Sequence, residues 1–244
     1  MDKDVLKSFE QKETLNPKLW DNVDGQYVLN NDVREHLLEI ANTFIEYLGV
    51  DILITDIIMI GSAVNYNWSK FSDIDVHILL NFSQFPENTQ ELYIEFFDLK
   101  KTLFNQKHEL SIYGLDVECF VQNEAETAFS SGVYSILYDM WVNEPKKGDT
   151  PDIDFDLLKE KVNQWMEIID GVIENIEDED PETISELVRK YKNKLKKYRQ
   201  CGLEKGGEMS IENLVFKYLR RNGYIEKLYN KPTELIDKKL SMNQ

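Results

Sequence analysis

Cysteine is scarce in this chain of 244 residues, and so is any long apolar run. Cys119 and Cys201 are too few and too isolated for a disulfide framework or a Cys-rich zinc site, and Cys119 stands in an apolar run that reads as core. No stretch approaches the roughly 20 apolar residues that a membrane span needs. The opening Met1-Asp2-Lys3-Asp4 is polar and does not read as an export signal, so cytoplasmic residence without membrane attachment is the expectation. Internal repeats and low-complexity tracts are also missing. What remains is a chain that is 42% hydrophobic and 30% charged, enough for a real core under a soluble surface.

The net charge of −17 hides a split. Residues 1–188 hold 13 basic and 39 acidic side chains, a net of −26; residues 189–244 hold 15 and 6, a net of +9. An acidic body argues against wrapping nucleic acid over the whole surface. The basic end is able to hold a phosphate backbone or a nucleotide tail, though it also suits a plain solvated face.

Two domains are expected, 1–148 and 149–244. Residues 1–30 read as an arm packing through Leu15, Leu19, Trp20 and Tyr27. Asn30-Asn31-Asp32 offers a helix cap. Val33, Leu37, Leu38, Ala41, Phe44, Ile45 and Leu48 then follow at helical spacing up to Gly49. Ile57-Ile58-Met59-Ile60 reads as a buried strand. From Asp73 to Leu80 the chain alternates, with Ile74, Val76, Ile78 and Leu80 on one face. Residues 89–107 read as helix and Leu115–Val121 as strand. The pattern does not separate strand from buried helix over 133–142. Residues 143–155 are rich in breakers and read as a linker. Beyond them helices are expected at about 154–177, 182–200 and 209–229, with breaks at Gly202 and Gly206-Gly207.

Asp73 and Asp75 are two apart in a strand, so both carboxylates point to one face with Cα atoms about 6.5–7 Å apart. Like charges so placed repel and lose solvation. A divalent cation relieves this, and hard oxygen ligands suit Mg²⁺, which also takes phosphate oxygens. Upstream, Gly61-Ser62 ends an apolar strand: Gly61 allows close approach of a phosphate, and Ser62 offers a hydroxyl and an amide to it. Downstream, Asp116 and Glu118 share one face of their strand. Either would bring a third carboxylate to a site for two metals.

Ile60-Gly61-Ser62, a ten-residue gap and Asp73-Ile74-Asp75-Val76, followed by a later strand carrying Asp116, resemble the DNA polymerase beta-like nucleotidyltransferase superfamily. The stretch from Gly61 to Asp75 is also similar to nucleotidyltransferases predicted in bacteriophages and bacteria. The resemblance covers roughly residues 33–142. It implies an α+β fold, a mixed sheet with helices on one face, followed here by a helical C-terminal domain. It implies two Mg²⁺ ions, with Mn²⁺ as a substitute, and transfer of a nucleoside monophosphate from a nucleoside triphosphate to a hydroxyl. By position Ser62 would bind triphosphate and Asp73 and Asp75 metal. Asp116 would be the third carboxylate, since the family often places it between hydrophobic residues, while Glu118 has the same facing. The acceptor, whether RNA, protein, small molecule or another nucleotide, stays open.

Other cations and acids need weighing. Lys70 lies between Ser62 and Asp73 and is a candidate phosphate contact. The apolar run Ile211, Leu214, Val215 and Leu219 predicts a buried helix face, leaving Lys217 and Arg221 as cations for the nucleotide. His77 faces with Asp73 and Asp75. Asp152-x-Asp154-x-Asp156 opens like a calcium loop, but Leu157 and Asn163 stand where Gly and Glu are needed, which excludes it. Two other functions compete: a catalytically degenerate nucleotide binder of the same fold, and a nucleic-acid binder working through the basic C-terminal helices.

Overall fold

The computed structural model describes residues 10–126, 130–148 and 153–242, which form two compact units, 10–148 and 153–242. Residues 1–9 and Asp152 lie outside the described residues. Among those described, no helix is long and apolar enough to cross a membrane.

The first unit is mixed α and β. A hairpin of β1 (Trp20–Val23) and β2 (Gln26–Leu29) precedes helix α1 (Asn31–Leu48). Asp24 and Gly25 at its tip have φ of 52° and 88°, the positive pair that a tight two-residue hairpin requires. The arm expected over 1–30 therefore contains this hairpin, and it packs as expected through Leu15, Leu19 and Trp20, all buried. Asn30 caps α1 by accepting from the amides of Asp32 and Val33, and Gly49 ends it in the left-handed conformation.

A six-stranded mixed sheet follows. It is built from β3 (Ile54–Ile60), β4 (Ile74–Leu80), β5 (Ser111–Ile112), β6 (Leu115–Asn123), β7 (Val133–Ser135) and β8 (Met140–Asn143). The order across it is β5-β6-β4-β3-β7-β8. Among the described residues only the β4–β6 pair is parallel. That pair is joined through helix α2 (Gln90–Lys107), as a parallel pair demands a crossover. The segment 133–142 is a hairpin of two short strands. Its strands carry too few residues for a clear period of two.

Along β4 the buried and half-buried positions alternate without exception. Ile74, Val76, Ile78 and Leu80 are wholly buried and join Met59, Val117 and Cys119 in one core with Val33, Leu37, Ala41 and Phe44 of α1. Phe97 and Phe104 are the buried residues of α2. The helix expected over 89–107 is present, and its Leu92, Ile94, Leu99 and Leu103 are exposed. Burial drives the Cys119 thiol up to about 12, with the Glu118 charge adding to it, so it is an inert packing group.

The second unit is helical: α3 (Phe155–Asn175), α4 (Pro181–Gly206), α5 (Ile211–Arg221) and α6 (Tyr224–Leu240). Asp154 caps α3 by accepting from the Leu157 amide, which is its role in place of calcium binding. Helix α4 runs through Gly202, where the sequence suggests a break. A Cβ there would stand 2.5 Å from Glu212 Cβ, so glycine is needed for the close approach of the start of α5. The helix expected over 209–229 is instead two, divided at Gly223 with φ 74°.

Candidate functional site

Strand register decides which acidic side chains meet. In the parallel ladder Ile74 pairs with Val117 and Asp75 with Glu118. Asp75 and Glu118 therefore stand side by side on adjacent strands, about 4.8 Å apart along the sheet. Both are half-buried and point away from the core residues Ile74, Val76, Val117 and Cys119. Asp73 and Asp116 each stand one position ahead of Ile74 and Val117; Asp116 is exposed and pairs with Ser111 of β5. Beyond the short β5, Asn105 of α2 serves the edge of β6, donating to Cys119 O at 3.1 Å and accepting from Cys119 N at 3.1 Å. That bracket fixes the backbone next to Glu118.

The turn Gly61-Ser62 closes on the same spot from β3. Ile60, the last residue of β3, pairs with Asp75. Gly61 has φ 80°, and a Cβ on it would stand 2.4 Å from Asp75 Oδ2. The positive φ favours glycine here, and a side chain would also displace the Asp75 carboxylate. A single 3₁₀ turn, Gly61–Val64, follows, with Ala63 and Val64 buried. Trp20 Nε1 donates to Ala63 O at 2.8 Å. Ser62 Oγ donates to Ser72 Oγ at 2.8 Å, which also accepts from Ser69 N at 2.9 Å. Ser72 is buried and directly precedes Asp73, so the two ends of the motif are tied through hydroxyls.

Below Asp75 on the same face lies His77. Its ring stacks on Phe120 at 4.7 Å, and its Nδ1–H donates to Gln122 Oε1 at 2.6 Å. Burial drives its pKa down to about 4, with the Lys101 charge adding to the fall and the Gln122 hydrogen bond opposing it. It is a neutral imidazole at ordinary pH.

The remaining predicted residues belong to other elements. Lys70 is exposed on the loop after Ser69, its Nζ 5.0 Å from the Phe71 ring centroid. Lys217 and Arg221 belong to α5 of the helical unit. There Arg199, Arg220 and Arg221 crowd Lys217, with Glu208 as the opposing charge, and burial does most to lower the ammonium's pKa. Arg199 lies over the Phe216 ring at 4.4 Å and donates to Asn213 Oδ1 at 3.1 Å.

Among the described residues no three His, Cys, Asp or Glu side chains are drawn together tightly enough to cage a metal. The donor set suits a different mode. Mg²⁺ is ordinarily held by one or two carboxylates, waters and substrate phosphate oxygens, and needs no all-protein cage. Two adjacent carboxylates beside a glycine turn fit that description. Residues that the sequence reading missed are Asn65, Ser72, Ser130 and Gly132, which brace the turn. Asn65 and Ser72 lie in the gap between Ser62 and Asp73, whereas Ser130 and Gly132 lie far along the chain. No protein-family model, no curated protein and no solved structure matches the chain.

Proposed function

We propose that the first unit is a metal-dependent nucleotidyltransferase with the polymerase beta-like arrangement. The observation that carries this reading is the pairing of Asp75 with Glu118 beside the Gly61 turn. In the reaction an acceptor hydroxyl oxygen bonds to the α-phosphorus of a nucleoside triphosphate. The bond from that phosphorus to the bridging oxygen breaks, and pyrophosphate leaves. Ser62 would hold the triphosphate through its amide and its hydroxyl, which rotates from Ser72 toward a phosphate oxygen. Asp73, Asp75 and a third carboxylate would hold Mg²⁺, and a carboxylate of this row takes the acceptor's proton. Bound Mg²⁺, two ions in this reading, supplies charge neutralisation and a lowered hydroxyl pKa. The register favours Glu118 as the third carboxylate, with Asp116 next in line at the exposed end.

Calorimetry with ATP, GTP, CTP and UTP, with and without Mg²⁺, is the test. Metal-dependent binding of at least one triphosphate is expected; absence of binding under every condition would end the proposal. A second reading has its own support. The group Arg199, Lys217, Arg220 and Arg221, with Arg199 against an aromatic ring, has the chemistry of a polyanion site. Charge reversal at Lys217 and Arg221 separates the two. Loss of triphosphate affinity by about tenfold or more would make these cations part of the nucleotide site. Intact triphosphate binding with weakened, salt-dependent RNA binding would assign them to nucleic acid.

A further inference from the structure

The backbone oxygen and amide of Gly61 are both engaged from one side. Asn65 Nδ2 donates to Gly61 O at 2.7 Å and to Ser130 Oγ at 3.2 Å. Gly61 N donates to the same Ser130 Oγ at 3.1 Å, and that hydroxyl donates in turn to Gly132 O at 2.6 Å. Ser131 Oγ donates to Asn65 Oδ1 at 2.6 Å. Asn143 Nδ2 of β8 donates to Ser131 O at 2.7 Å, tying this segment to the sheet edge. Asn65 is buried, and both of its side-chain polar atoms are used. Gly132 completes the contact: a Cβ there would stand 2.1 Å from Val64 O and 3.0 Å from Asn65 Oδ1.

Such a network is more than ordinary loop packing. It grips the one residue whose left-handed backbone lets the Asp75 carboxylate lie against it. An Asn whose amide bonds both Gly61 O and the hydroxyl that receives Gly61 N–H fixes the peptide planes on both sides of that residue. The orientation of the Ser62 amide and hydroxyl relative to Asp75 follows from those planes. We infer that Asn65, through Ser130 and Gly132, is a positioning residue that aims the Gly61-Ser62 turn for a phosphate group beside the Asp75 carboxylate. The inference rests on the nucleotidyltransferase reading for the identity of the ligand, but the latch itself has a readout in the free protein.

The experiment uses the full chain. Asn65→Asp keeps the acceptor toward Ser131 and removes both donations; Gly132→Ala pushes the segment off the turn; Ser131→Ala removes only the outermost bond. Amide hydrogen exchange at Gly61 and Ser62 is measured without ligand, and MgATP affinity by calorimetry alongside, with melting temperature as a control for folding. The expected result is faster exchange at both amides in Asn65→Asp and Gly132→Ala, with MgATP affinity down at least tenfold, while Ser131→Ala stays within about threefold. Unchanged exchange in Asn65→Asp would overturn the latch whatever the affinity does. Faster exchange with unchanged MgATP affinity would overturn the positioning role and leave a structural brace. Wild-type protein that binds no triphosphate would instead sink the function proposed above and the phosphate-aiming role with it, while the exchange data still decide the latch.

Discussion

The two faces of β4 meet opposite surroundings. On one side Ile74, Val76, Ile78 and Leu80 are wholly buried; on the other Asp75, His77 and Leu79 are half-buried. Both sets come from seven consecutive residues, and only parity separates them. The first face keeps the strand in place by apolar burial, at about 25 cal/mol per Å² removed from water. The second holds a carboxylate beside another carboxylate, an arrangement that costs stability. A strand tolerates that cost because the opposite face anchors it. Stability and chemistry should therefore separate cleanly by odd and even residue number.

The largest effects test that separation directly. Asp75→Asn removes a carboxylate beside Glu118 and relieves repulsion, so the melting temperature should hold or rise. Transfer should fall by on the order of 10³-fold, the scale of losing a group that meets transition-state charge. Ile78→Ala should do the reverse. It leaves a cavity among wholly buried neighbours and should cost about 2–5 kcal/mol in unfolding free energy, with turnover per folded molecule nearly intact. Denaturant titration paired with labelled-triphosphate turnover reads both. A strongly destabilised Asp75→Asn, or an inactive but fully folded Ile78→Ala, would break the comparison.

A smaller effect sharpens it within the acidic row. Glu118 is paired with Asp75, whereas Asp116 lies toward the open end beside β5. Glu118→Gln should lower turnover by about 100-fold and Asp116→Asn by roughly tenfold or less, since groups farther from the reacting charge contribute less. Measured kcat at saturating Mg²⁺ decides it. The opposite ranking would return the third carboxylate to Asp116, where the family resemblance puts it.

The ease with which these features can be read from sequence follows the same division. Strand β4 is legible because its alternation is complete, and the Gly61 strand end is legible because an apolar run stops at a glycine. The facing of Asp116 and Glu118 is legible too, but their order along the sheet is not, since register depends on how α2 delivers β6 back to β4. The two-residue hairpins are present as Asp24-Gly25 and Tyr113-Gly114, all with positive φ, yet only the first has a recognisable turn pair. Helix α2 is legible as a helix, but the split between its buried Phe97 and Phe104 and its exposed Leu92, Ile94, Leu99 and Leu103 is not, since all are apolar. The Asn65–Ser130–Gly132 contact spans more than sixty residues and uses polar types common in any loop, so nothing local signals it.

His77 offers the subtlest test, because it lies on the chemical face but is held like a core residue. Its pKa in the folded protein is about 4, against an ordinary value of 6.5 that applies once the chain unfolds. The unfolded state therefore binds a proton that the folded state refuses between those two values. Stability contributed by the neutral ring is fully present above about pH 6.5 and is lost as pH falls toward 4, on the order of 2 kcal/mol by pH 5. Glutamine at this position has no such titration. In chelator-treated protein, so that no metal competes for Asp75, the difference in unfolding free energy between wild type and His77→Gln should shrink from pH 7 to pH 5. Above pH 7 that difference should be flat. A wild-type excess that stays constant through this range would mean that the ring takes up its proton without leaving its place against Phe120, and that solvent reaches this part of the face more freely than its burial indicates.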